Sequence, residues 1–337
     1  MTRTEGLVSI MIPVLNEERH LREVVAHALG QKTQRELEVI IAVGPSRDRT
    51  LEIAQELAVQ YSNVRVVDNP SGRTPDALNA AIAHTRGEYI VRCDGHAFLP
   101  PDYVETAIAT LIRTDSDNVG GIMDAQGETA FQKAVAWAMK SPFGVGSAAF
   151  HVGGVEGEAE TVYLGSFRAS ALERVGGYDP RMTRAQDWEM NHRIRATGGR
   201  VWFNPALKVT YRPRRTITTL AQQYLQYGQW RRLVMHLHPE TAQRLSALRY
   251  FAPPAAVTAN VLGLIVGGIG ALFGSQWSLA LVVPATYIAG ITAVSLSALG
   301  KENLSTVMRL PLVLATMHMC WGVGFLFSPA KAEIAKN

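Results

Sequence analysis

Apolar and polar positions alternate in blocks through the first third of the chain. Four apolar runs have the length of buried strands, and they cover residues 7–14, 37–43, 64–67 and 88–93. Between these runs, apolar residues recur with helical spacing in three segments, at residues 17–29, 50–61 and 75–85. Strands that alternate with helices predict an α/β fold with a mostly parallel sheet flanked by helices.

The pattern is looser between Gly120 and Gly165. Glycines are frequent there, at positions 144, 146, 153, 154 and 157, and acids stand at 156, 158 and 160. We expect this segment to be either a surface excursion or a lid over a substrate. The elements predicted after it are a helix at 185–197, two short strands at 200–203 and 207–211, and an amphipathic, interfacial helix at 216–235.

Two long stretches near the C-terminus are almost free of charge. No Asp, Glu, Lys, Arg or His occurs from Tyr250 to Gly300, and residues 310–330 contain only His318. Since a membrane span needs about 20 apolar residues, these stretches predict a transmembrane region. The predicted spans are residues 254–273, 277–298 and 307–327. The alternative is a buried helical hairpin.

Lysines and arginines near the span ends predict the orientation. Those before the first span are Arg231, Arg232, Arg244 and Arg249. The loop between the first two spans is uncharged, whereas Lys301 and Arg309 flank the next loop. We therefore expect the N-terminal part and the second loop in the cytoplasm and the tail, residues 328–337, outside. Lys331 and Lys336 in that tail count against an outside location.

Composition adds few constraints. The 337 residues suffice for two domains, and the net charge of +4 suits an anionic substrate or an anionic membrane surface. Cys93 and Cys320 lie far apart in apolar runs, so we expect no disulfide and a reducing compartment. The first residues do not have the pattern of a signal peptide.

Polar clusters follow three of the predicted strands, at Asn16-Glu17, residues 44–48 and Asp94-Gly95-His96. Ligands of parallel sheets bind at the carboxyl ends of the strands. Asp94 and His96 are two residues apart, so they project together if the strand continues. A carboxylate and an imidazole can share one divalent cation, which in turn can hold a diphosphate. The alternative for this triplet is a plain turn.

Several motifs together resemble glycosyltransferase family 2 over about residues 7–235. The motifs are residues 8–17 (VSIMIPVLNE), 94–96 (DGH), 176–179 (GGYD), 186–189 (QDWE) and 226–231 (QYGQWR). Within the family the chain is most similar to bacterial exopolysaccharide enzymes of the succinoglycan glucosyltransferase type. The resemblance implies a GT-A catalytic domain at residues 1–235, with a transmembrane region at 236–337. It also implies an inverting reaction that displaces a nucleoside diphosphate in one step.

The resemblance implies roles for three of these residues. Asp94 and His96 would hold a divalent cation, Mn²⁺ or Mg²⁺, and imidazole suits Mn²⁺ somewhat better. Asp187 would be the general base that takes the acceptor proton as the new bond forms. Gln186 stands where the family usually has Glu, which removes one negative charge beside Asp187. The alternative for His96 is a hydrogen-bonded loop histidine. The alternative for Asp187 is a first-turn acid favoured by the helix dipole.

The resemblance also implies a nucleotide site. Its expected residues are Pro13, Asn16, Glu17, Asp48, Arg73, Asn79 and Asp94. Residues 43–46 read Val-Gly-Pro-Ser, so the acid that the family usually places against the base is absent, and uridine is the default expectation. Alternatives remain for three residues. Asp48 would only cap a helix, Arg73 would be a solvated arginine, and Asn79 would satisfy backbone groups rather than hold the loop of Asp94.

Acceptor contacts are expected from Gln186, Trp188, Glu189, Trp230 and Arg231. For Glu189 the alternative is an ion pair with Arg193, four residues along the helix. Trp230 would otherwise lie at the bilayer interface. A basic cluster either follows lipid charge or grips the phosphates of a lipid-linked acceptor. Its members are Arg212, Arg214, Arg215, Arg231 and Arg232.

The predicted function is a metal-dependent inverting glycosyltransferase of cell-surface glycan biosynthesis. The expected partners are a nucleotide-sugar donor, a lipid-linked or glycan acceptor and the membrane, with no nucleic acid. We expect a multi-pass protein of the inner (cytoplasmic) membrane with its catalytic domain in the cytoplasm. The alternatives are a polyprenyl-phosphate sugar transferase and a non-catalytic membrane scaffold that binds a nucleotide-sugar.

Overall fold

The computed structural model of the protein describes residues 3–243 and 249–328. By their packing, the residues form two compact units. The sheet unit consists of Met1–Asp124 and Ala148–Tyr211, and the helical unit consists of Ala125–Ser147 and Arg212–Asn337. The sequence-based boundary at residue 235, between a catalytic domain and a transmembrane region, stays a prediction. Arg244 and the tail beyond Ser328 lie outside the described residues.

The chain contains strands and helices in alternation. In chain order, the first elements are β1 (Thr4–Val14), α1 (Leu21–Leu29), β2 (Leu37–Val43), α2 (Thr50–Gln60), β3 (Val64–Asp68), α3 (Thr74–His84), β4 (Gly87–Arg92), α4 (Tyr103–Thr114), β5 (Asn118–Ala125), α5 (Ala130–Met139), α6 (Pro142–Val145) and α7 (Ala149–Val152). The remaining elements are β6 (Gly157–Glu158), β7 (Tyr163–Arg168), α8 (Ala169–Val175), α9 (Gln186–Ala196), β8 (Val201–Tyr211), α10 (Ile217–Leu237), α11 (Ala252–Leu272), α12 (Val282–Leu296), α13 (Leu304–Val307) and α14 (Leu310–Leu326). The segments Pro239–Gln243 and Gln276–Leu281 are 3₁₀ helices, and they lie before α11 and α12 in the chain.

One sheet of eight strands has the order β3-β2-β1-β4-β7-β5-β8-β6. The pairs β1–β2, β1–β4 and β2–β3 are parallel, which confirms the predicted parallel arrangement for this half. The other half is antiparallel, since β7 runs against β4 and β5, and β6 runs against β8. The sheet is therefore mixed.

Alternation along the strands supplies a core on both faces of the sheet. Val8, Ile10 and Ile12 of β1 pack in one apolar cluster, and Met11 packs in the other with Ile40 of β2. All five side chains are fully buried. Strands covered on both faces explain the nearly continuous apolar runs from which the sequence predicts them.

The loose segment after Gly120 is more regular than its glycines suggest, because several of them stand where backbones meet closely. A Cβ atom on Gly121 in β5 would lie 1.8 Å from the Leu207 oxygen, and one on Gly144 would lie 2.1 Å from the Ala138 oxygen. The two short strands predicted at 200–203 and 207–211 are one strand, β8.

Three helical stretches of the helical unit are long and apolar enough to cross a membrane, judged by length and composition. They are Ala252–Leu272, Gln276–Leu296 and Leu304–Leu326. The prediction of three C-terminal apolar helices is therefore confirmed. Helix α10 packs along α14, and glycines allow the close approach. A Cβ atom on Gly228 would lie 2.0 Å from the Trp321 oxygen, and one on Gly324 would lie 2.0 Å from the Leu225 oxygen.

Candidate active site

The carboxyl ends of β1, β2 and β4 lie at one edge of the sheet. In the sheet, β1 has β2 on one side and β4 on the other, because the chain goes outward from β1 to β3 and then returns to the opposite side of β1. Ligands of open α/β sheets bind at such a switch point. The predicted polar clusters at Asn16-Glu17, residues 44–48 and Asp94–His96 follow these three strands directly. The structure therefore brings the three clusters to the same edge.

Arg92, the last residue of β4, joins two carboxylates at this edge. Its Nε atom donates a hydrogen bond to Asp94 Oδ1 at 2.8 Å, and its Nη1 atom donates to Asp187 Oδ1. The Arg92 side chain is only 5% exposed, whereas those of Asp94 and Asp187 are 21% and 35% exposed. A buried guanidinium therefore connects residues that lie 93 positions apart in the sequence, and both carboxylates keep a solvent-facing side.

Asp187 lies in the first turn of α9, after Ala185 in the left-handed conformation (φ 58°). Its carboxylate pairs with Arg92, so its contact reaches across to β4. Burial raises the pKa of Asp187, Arg92 opposes this shift, and the Asp94 carboxylate adds to it. A raised pKa makes a carboxylate a better proton acceptor toward an alcohol.

His96 contacts Glu17 across the ends of β4 and β1. The His96 Nδ1 atom lies 2.7 Å from Glu17 Oε1. Gly95 permits this approach, because a Cβ atom there would lie 2.8 Å from Val14 Cγ1 and 3.1 Å from Glu17 Cγ. A carboxylate that holds one nitrogen of an imidazole and orients the ring is a common companion of metal-binding histidines.

Hydrogen bonds tie the loop after β1 to the loop after β2. Asn16 has a positive φ of 57° and accepts a hydrogen bond at Oδ1 from the Arg47 amide at 2.8 Å. The Glu17 amide donates to Thr50 Oγ1 at 2.7 Å. Asp48 accepts from the Glu18 amide and from the Thr50 amide and hydroxyl. Asp48 thus ties the loop after β1 to the first residue of α2, and nucleotide binding by Asp48 stays a prediction.

The same hydrogen bonds determine the protonation of Asp48. Burial alone would raise the pKa of Asp48, but the bonds from Thr50 and Glu18 hold it below the usual value for an aspartate. Pro13 is half-buried in β1, just before this pair of loops. The loops after β1 and β2 are therefore held together by side-chain hydrogen bonds.

Arg73 and Asn79 have partners within the sheet unit. Arg73 Nη2 lies 2.8 Å from Asp76 Oδ2 at the start of α3. Asn79 Nδ2 donates to the Tyr178 oxygen at 2.7 Å, and Asn79 Oδ1 accepts from the Tyr178 amide at 2.8 Å. The two amide contacts of Asn79 hold the loop after α8, not the loop that carries Asp94. Nucleotide binding by Arg73 and Asn79 stays a prediction.

The contacts between Asn79 and Tyr178 explain the two glycines of the Gly-Gly-Tyr-Asp motif. Gly176 and Gly177 both have positive φ, 74° and 75°, and Gly176 ends α8. A Cβ atom on Gly177 would lie 2.6 Å from Asn79 Oδ1. The glycines thus turn the chain tightly after α8, and the chain continues from there to Asp187.

Trp188 and Glu189, both expected at the acceptor, are buried. Trp188 is 8% exposed, and its ring stacks on His192 with centroids 5.5 Å apart. Glu189 is 1% exposed and forms two hydrogen bonds with Arg193, at 2.6 and 2.7 Å. The ion pair at i+4, left open as the alternative for Glu189, is therefore present. Gln186 is half-buried at the first position of α9.

Trp230 and Arg231 belong to the helical unit. Trp230 is 7% exposed, and the Arg231 guanidinium lies 4.1 Å from the centre of the Tyr250 ring. The other arginines of the basic cluster also have contacts within this unit. Arg212 and Arg215 pair with Glu128, Arg214 donates to Gln223 at 3.3 Å, and Arg232 donates to the carbonyls at the end of α14. Acceptor binding by these residues stays a prediction.

Sequence reasoning missed Arg92, although a signal was present. A charged residue in an otherwise apolar strand, two positions before Asp94, projects on the same face as Asp94. Two tyrosines near the carboxylates were also missed. Burial raises the pKa of Tyr163, with a further contribution from Asp94, and burial raises the pKa of Tyr178, with a further contribution from Asp187.

Comparisons with known proteins agree with this geometry. The family described as Glycosyl transferase family 2 matches residues 9–176. The succinoglycan biosynthesis protein ExoA of Rhizobium meliloti (strain 1021) is 30% identical over 333 residues, which cover 96% of this chain and 95% of that protein. A dolichyl N-acetyl-alpha-D-glucosaminyl phosphate 3-beta-D-2,3-diacetamido-2,3-dideoxy-beta-D-glucuronosyltransferase of Methanococcus voltae is 24% identical over 233 residues, 66% of this chain and 72% of that protein.

Among solved structures, the chain is similar to the mannosyltransferase PcManGT from Pyrobaculum calidifontis in complex with GDP-Man and Mn²⁺. The TM-score is 0.60 with 19% sequence identity, and the match covers 96% of this chain and 88% of that one. At this level of identity the similarity concerns the fold. It confirms the predicted GT-A architecture.

Because Arg92 is buried between two carboxylates, we expect its removal to destabilise the protein more than the removal of an exposed ion pair does. Replacing Arg92 with Met leaves two carboxylates without their shared cation, and we expect this to lower the free energy of unfolding by about 1–3 kcal/mol. Arg73→Met is the matched control, because the pair with Asp76 is more exposed and should cost at most about 1 kcal/mol. Denaturant unfolding of the detergent-solubilised protein measures both.

Adding Asp187→Asn to Arg92→Met should recover part of the loss, since the neutral amide needs no cation. Equal and small losses for Arg92→Met and Arg73→Met would show that Arg92 does not hold the two carboxylates.

Proposed function

The chain belongs to glycosyltransferase family 2, and we propose that it is an inverting, metal-dependent enzyme of cell-surface glycan biosynthesis. It moves a sugar from a nucleoside-diphosphate-sugar to a lipid-linked or polysaccharide acceptor. One observation carries the proposal: Arg92 joins Asp94 to Asp187 beside the Glu17–His96 pair, at the edge of the sheet where nucleotides bind. A cation-binding group and a base therefore lie within reach of one substrate.

Asp94 and His96 are the residues that would hold the divalent cation. A carboxylate oxygen and an imidazole nitrogen form a donor set that fits Mn²⁺ and, somewhat less well, Mg²⁺. Glu17 contacts the imidazole at Nδ1, so Nε2 would be the nitrogen that binds the metal. When bound, the cation supplies Lewis-acid stabilisation of the leaving diphosphate.

Asp187 accepts the proton of the acceptor hydroxyl. Burial raises its pKa, and its carboxylate remains 35% exposed on the side away from Arg92. Arg92 acts through Asp187 as a positioning residue, because it fixes the carboxylate relative to Asp94. Displacement from the side opposite the leaving group then inverts the anomeric carbon.

For the donor, we propose a uridine diphosphate sugar. The loops after β1 and β2 are tied together by Asn16 and Asp48, which makes a rigid wall for the base. Residues 43–46 supply no acid to that wall. PcManGT, which shares the fold, was solved with GDP-Man, so guanosine diphosphate sugars belong in the same test.

For the acceptor, a cleft in the helical unit supports a lipid carrier. It has a volume of about 540 Å³, and apolar walls surround one arginine and one imidazole. Its lining residues are Arg232, Met235, His236, Pro239, Phe251, Phe325 and Leu326. An arginine at an apolar cleft suits a phosphate that carries a hydrocarbon chain. The transferase of Methanococcus voltae is named for a dolichyl phosphate substrate.

The domain assignment follows from the same proposal. Residues 1–235 form the catalytic domain, with the interfacial helix at 216–235, and residues 236–337 form the membrane region. Lysines and arginines flank the apolar stretches on the side of residues 231–249 and 301–309, which supports a cytoplasmic location for the catalytic domain at the inner membrane.

A donor screen with Asp187→Asn tests the function. Purified full-length protein with Mn²⁺ or Mg²⁺ is given UDP-, GDP- and dTDP-sugars, with and without a membrane lipid extract, and the free nucleoside diphosphate is measured. We expect release from one donor, stimulated by the extract and abolished by a chelator. Asp187→Asn should reduce kcat by about 10²–10⁴-fold, because the acceptor proton loses its base.

Asp115→Asn is the control, since Asp115 is an exposed acid after α4, and its turnover should equal that of the unmodified protein. Normal turnover in Asp187→Asn would overturn the assigned base. Nucleotide binding without release from any donor would favour a non-catalytic scaffold.

The Glu17–His96 contact predicts an effect on metal affinity that can be measured separately from the role of Asp187 as general base. Glu17→Gln weakens the hold on the imidazole, so we expect the Mn²⁺ concentration for half-maximal rate to rise by about 10–100-fold. His84→Ala, which removes an exposed histidine of α3, serves as the control and should leave the Mn²⁺ titration unchanged. A Glu17→Gln titration that superimposes on that of His84→Ala would contradict metal binding at His96.

A further inference from the structure

We infer that α14 does not cross the membrane but lies at the face where α11 begins, as an interfacial helix packed against α10. The partner of its exposed side is the headgroup and acyl boundary of the bilayer. This inference concerns the helical unit alone and does not rest on the proposed function. We call the membrane face at the start of α11 the near face, and the opposite one the far face.

Helix α11 and the stretch Gln276–Leu296 form an antiparallel hairpin. The Cβ position of Gly270 lies 2.3 Å from the Ser278 amide, that of Gly267 lies 2.6 Å from the Leu281 amide, and that of Gly263 lies 2.9 Å from Pro284 Cδ. Each stretch has 21 residues and is about 32 Å long, enough for the hydrocarbon core of a bilayer. The chain therefore returns to the near face at the end of α12.

The end of α14 also lies at the near face, because it contacts the residues that begin α11. Trp321 stacks on Tyr250 with ring centroids 6.5 Å apart, and Phe325 meets Phe251 edge-on at 5.7 Å. A Cβ atom on Gly322 would lie 2.5 Å from the Pro253 oxygen. These three contacts place the last turns of α14 beside the first turn of α11.

The start of α14 has the same location. Only residues 297–303 separate α12 from α13, and both α13 and α14 pack on α5. Gln132 of α5 donates a hydrogen bond to the Pro213 oxygen, just before α10. Among the described residues, no candidate span lies between α5 and α11, so α5 is on the near side of the membrane. A helix with both ends at one face does not cross.

The middle of α14 contacts α6, which follows α5 directly, and also the middle of the stretch Gln276–Leu296. His318 Nε2 lies 2.6 Å from the Phe143 oxygen in α6, and His318 Nδ1 lies 3.1 Å from the Tyr287 hydroxyl in α12. A carbonyl only accepts, so Nε2 carries the proton and Nδ1 accepts from tyrosine. The apolar stretch Leu304–Leu326 has 23 residues, so the contacts of α14, and not its length, argue against a crossing.

The charge pattern of the sequence supports this arrangement independently. Lys301 and Arg309 lie between α12 and α14, and Lys331 and Lys336 follow α14. If α14 does not cross, Lys301 and Arg309 stand at the near face and the chain enters its last residues from that face, and within the described part of the chain only the uncharged turn at residues 273–275 reaches the far face. Lysines and arginines concentrate on one side in the same way in most membrane proteins. The inference would place the tail at the near face, whereas the sequence-based expectation of an outside tail assumes a third span.

The exposed apolar side chains of this region suit a bilayer surface. Leu312 is 58% exposed and Phe327 is 74% exposed. Helix α10, which crosses α14 at Gly228 and Gly324, carries glutamines and arginines along with its buried apolar residues. Together, the apolar α14 and the more polar α10 offer both apolar and polar side chains to the boundary of the bilayer.

Single cysteines in the full-length chain test the inference. In a Cys93→Ala, Cys320→Ala background, Ser275→Cys marks the far face, Lys301→Cys marks the near face and Asn337→Cys reports the C-terminus. A membrane-impermeant maleimide is applied to right-side-out and to inside-out vesicles. We expect Asn337→Cys to be labelled in the same vesicles as Lys301→Cys and protected in those that label Ser275→Cys. Labelling together with Ser275→Cys would make α14 a third span and overturn the inference.

A second measurement keeps the result independent of cysteine reactivity. Green fluorescent protein or alkaline phosphatase is fused after Asn337, and a matched fusion carries one added transmembrane helix before the reporter. The same reporters fused after Lys301 give the signal of the near face. We expect the fusion after Asn337 to give that same signal and the fusion with the added helix to give the opposite one. Opposite signals from the fusions after Lys301 and Asn337 would contradict the inference. Donor turnover of the same variants is followed separately, so failure of the topology and failure of the proposed function are distinguished.

Discussion

The ion pair network of Arg92 is the interaction on which the candidate site depends. Asp94 follows a central strand, and Asp187 begins a helix almost a hundred residues later, so nothing in the local sequence brings them together. Two like charges would separate unless a cation stood between them, and Arg92 provides it from a buried position. The guanidinium thereby fixes the distance between the residue that would hold the metal and the residue that would take the proton.

Close backbone contacts support this network from outside. Gly95 lets the Asp-Gly-His turn approach the end of β1, where Glu17 holds His96. Asn79 closes the left-handed turn at Gly177, from which the chain leads to α9 and Asp187. Gly95 leaves room for the side chains of Val14 and Glu17, and Gly177 leaves room for that of Asn79. The motifs shared with family 2 are thus explained by packing as much as by chemistry.

Periodicity predicted the parallel half of the fold well, since β2 spans the same residues as predicted and α2 differs by one. It failed where contacts, not local patterns, decide the structure. Gly121 lies in β5, where a Cβ atom would meet the Leu207 oxygen of the neighbouring β8, so this glycine belongs to a strand and not to a loose segment. Asp94, His96 and Asp187 were identifiable from motifs, whereas Arg92 was hidden inside an apolar run. Its role depends on pairing with a distant acid, which a single sequence does not display.

The pH dependence of Arg92→Gln tests the central claim most directly. Arg92 stabilises the charged form of Asp187, so its removal should raise the pKa of that carboxylate further above its usual value. Because the base acts only when deprotonated, the acid limb of kcat/KM should move to higher pH by about 1 unit or more, whereas Arg73→Gln should leave it in place. An acid limb that stays in place while the rate falls would show that Arg92 acts on the fold and not on the base.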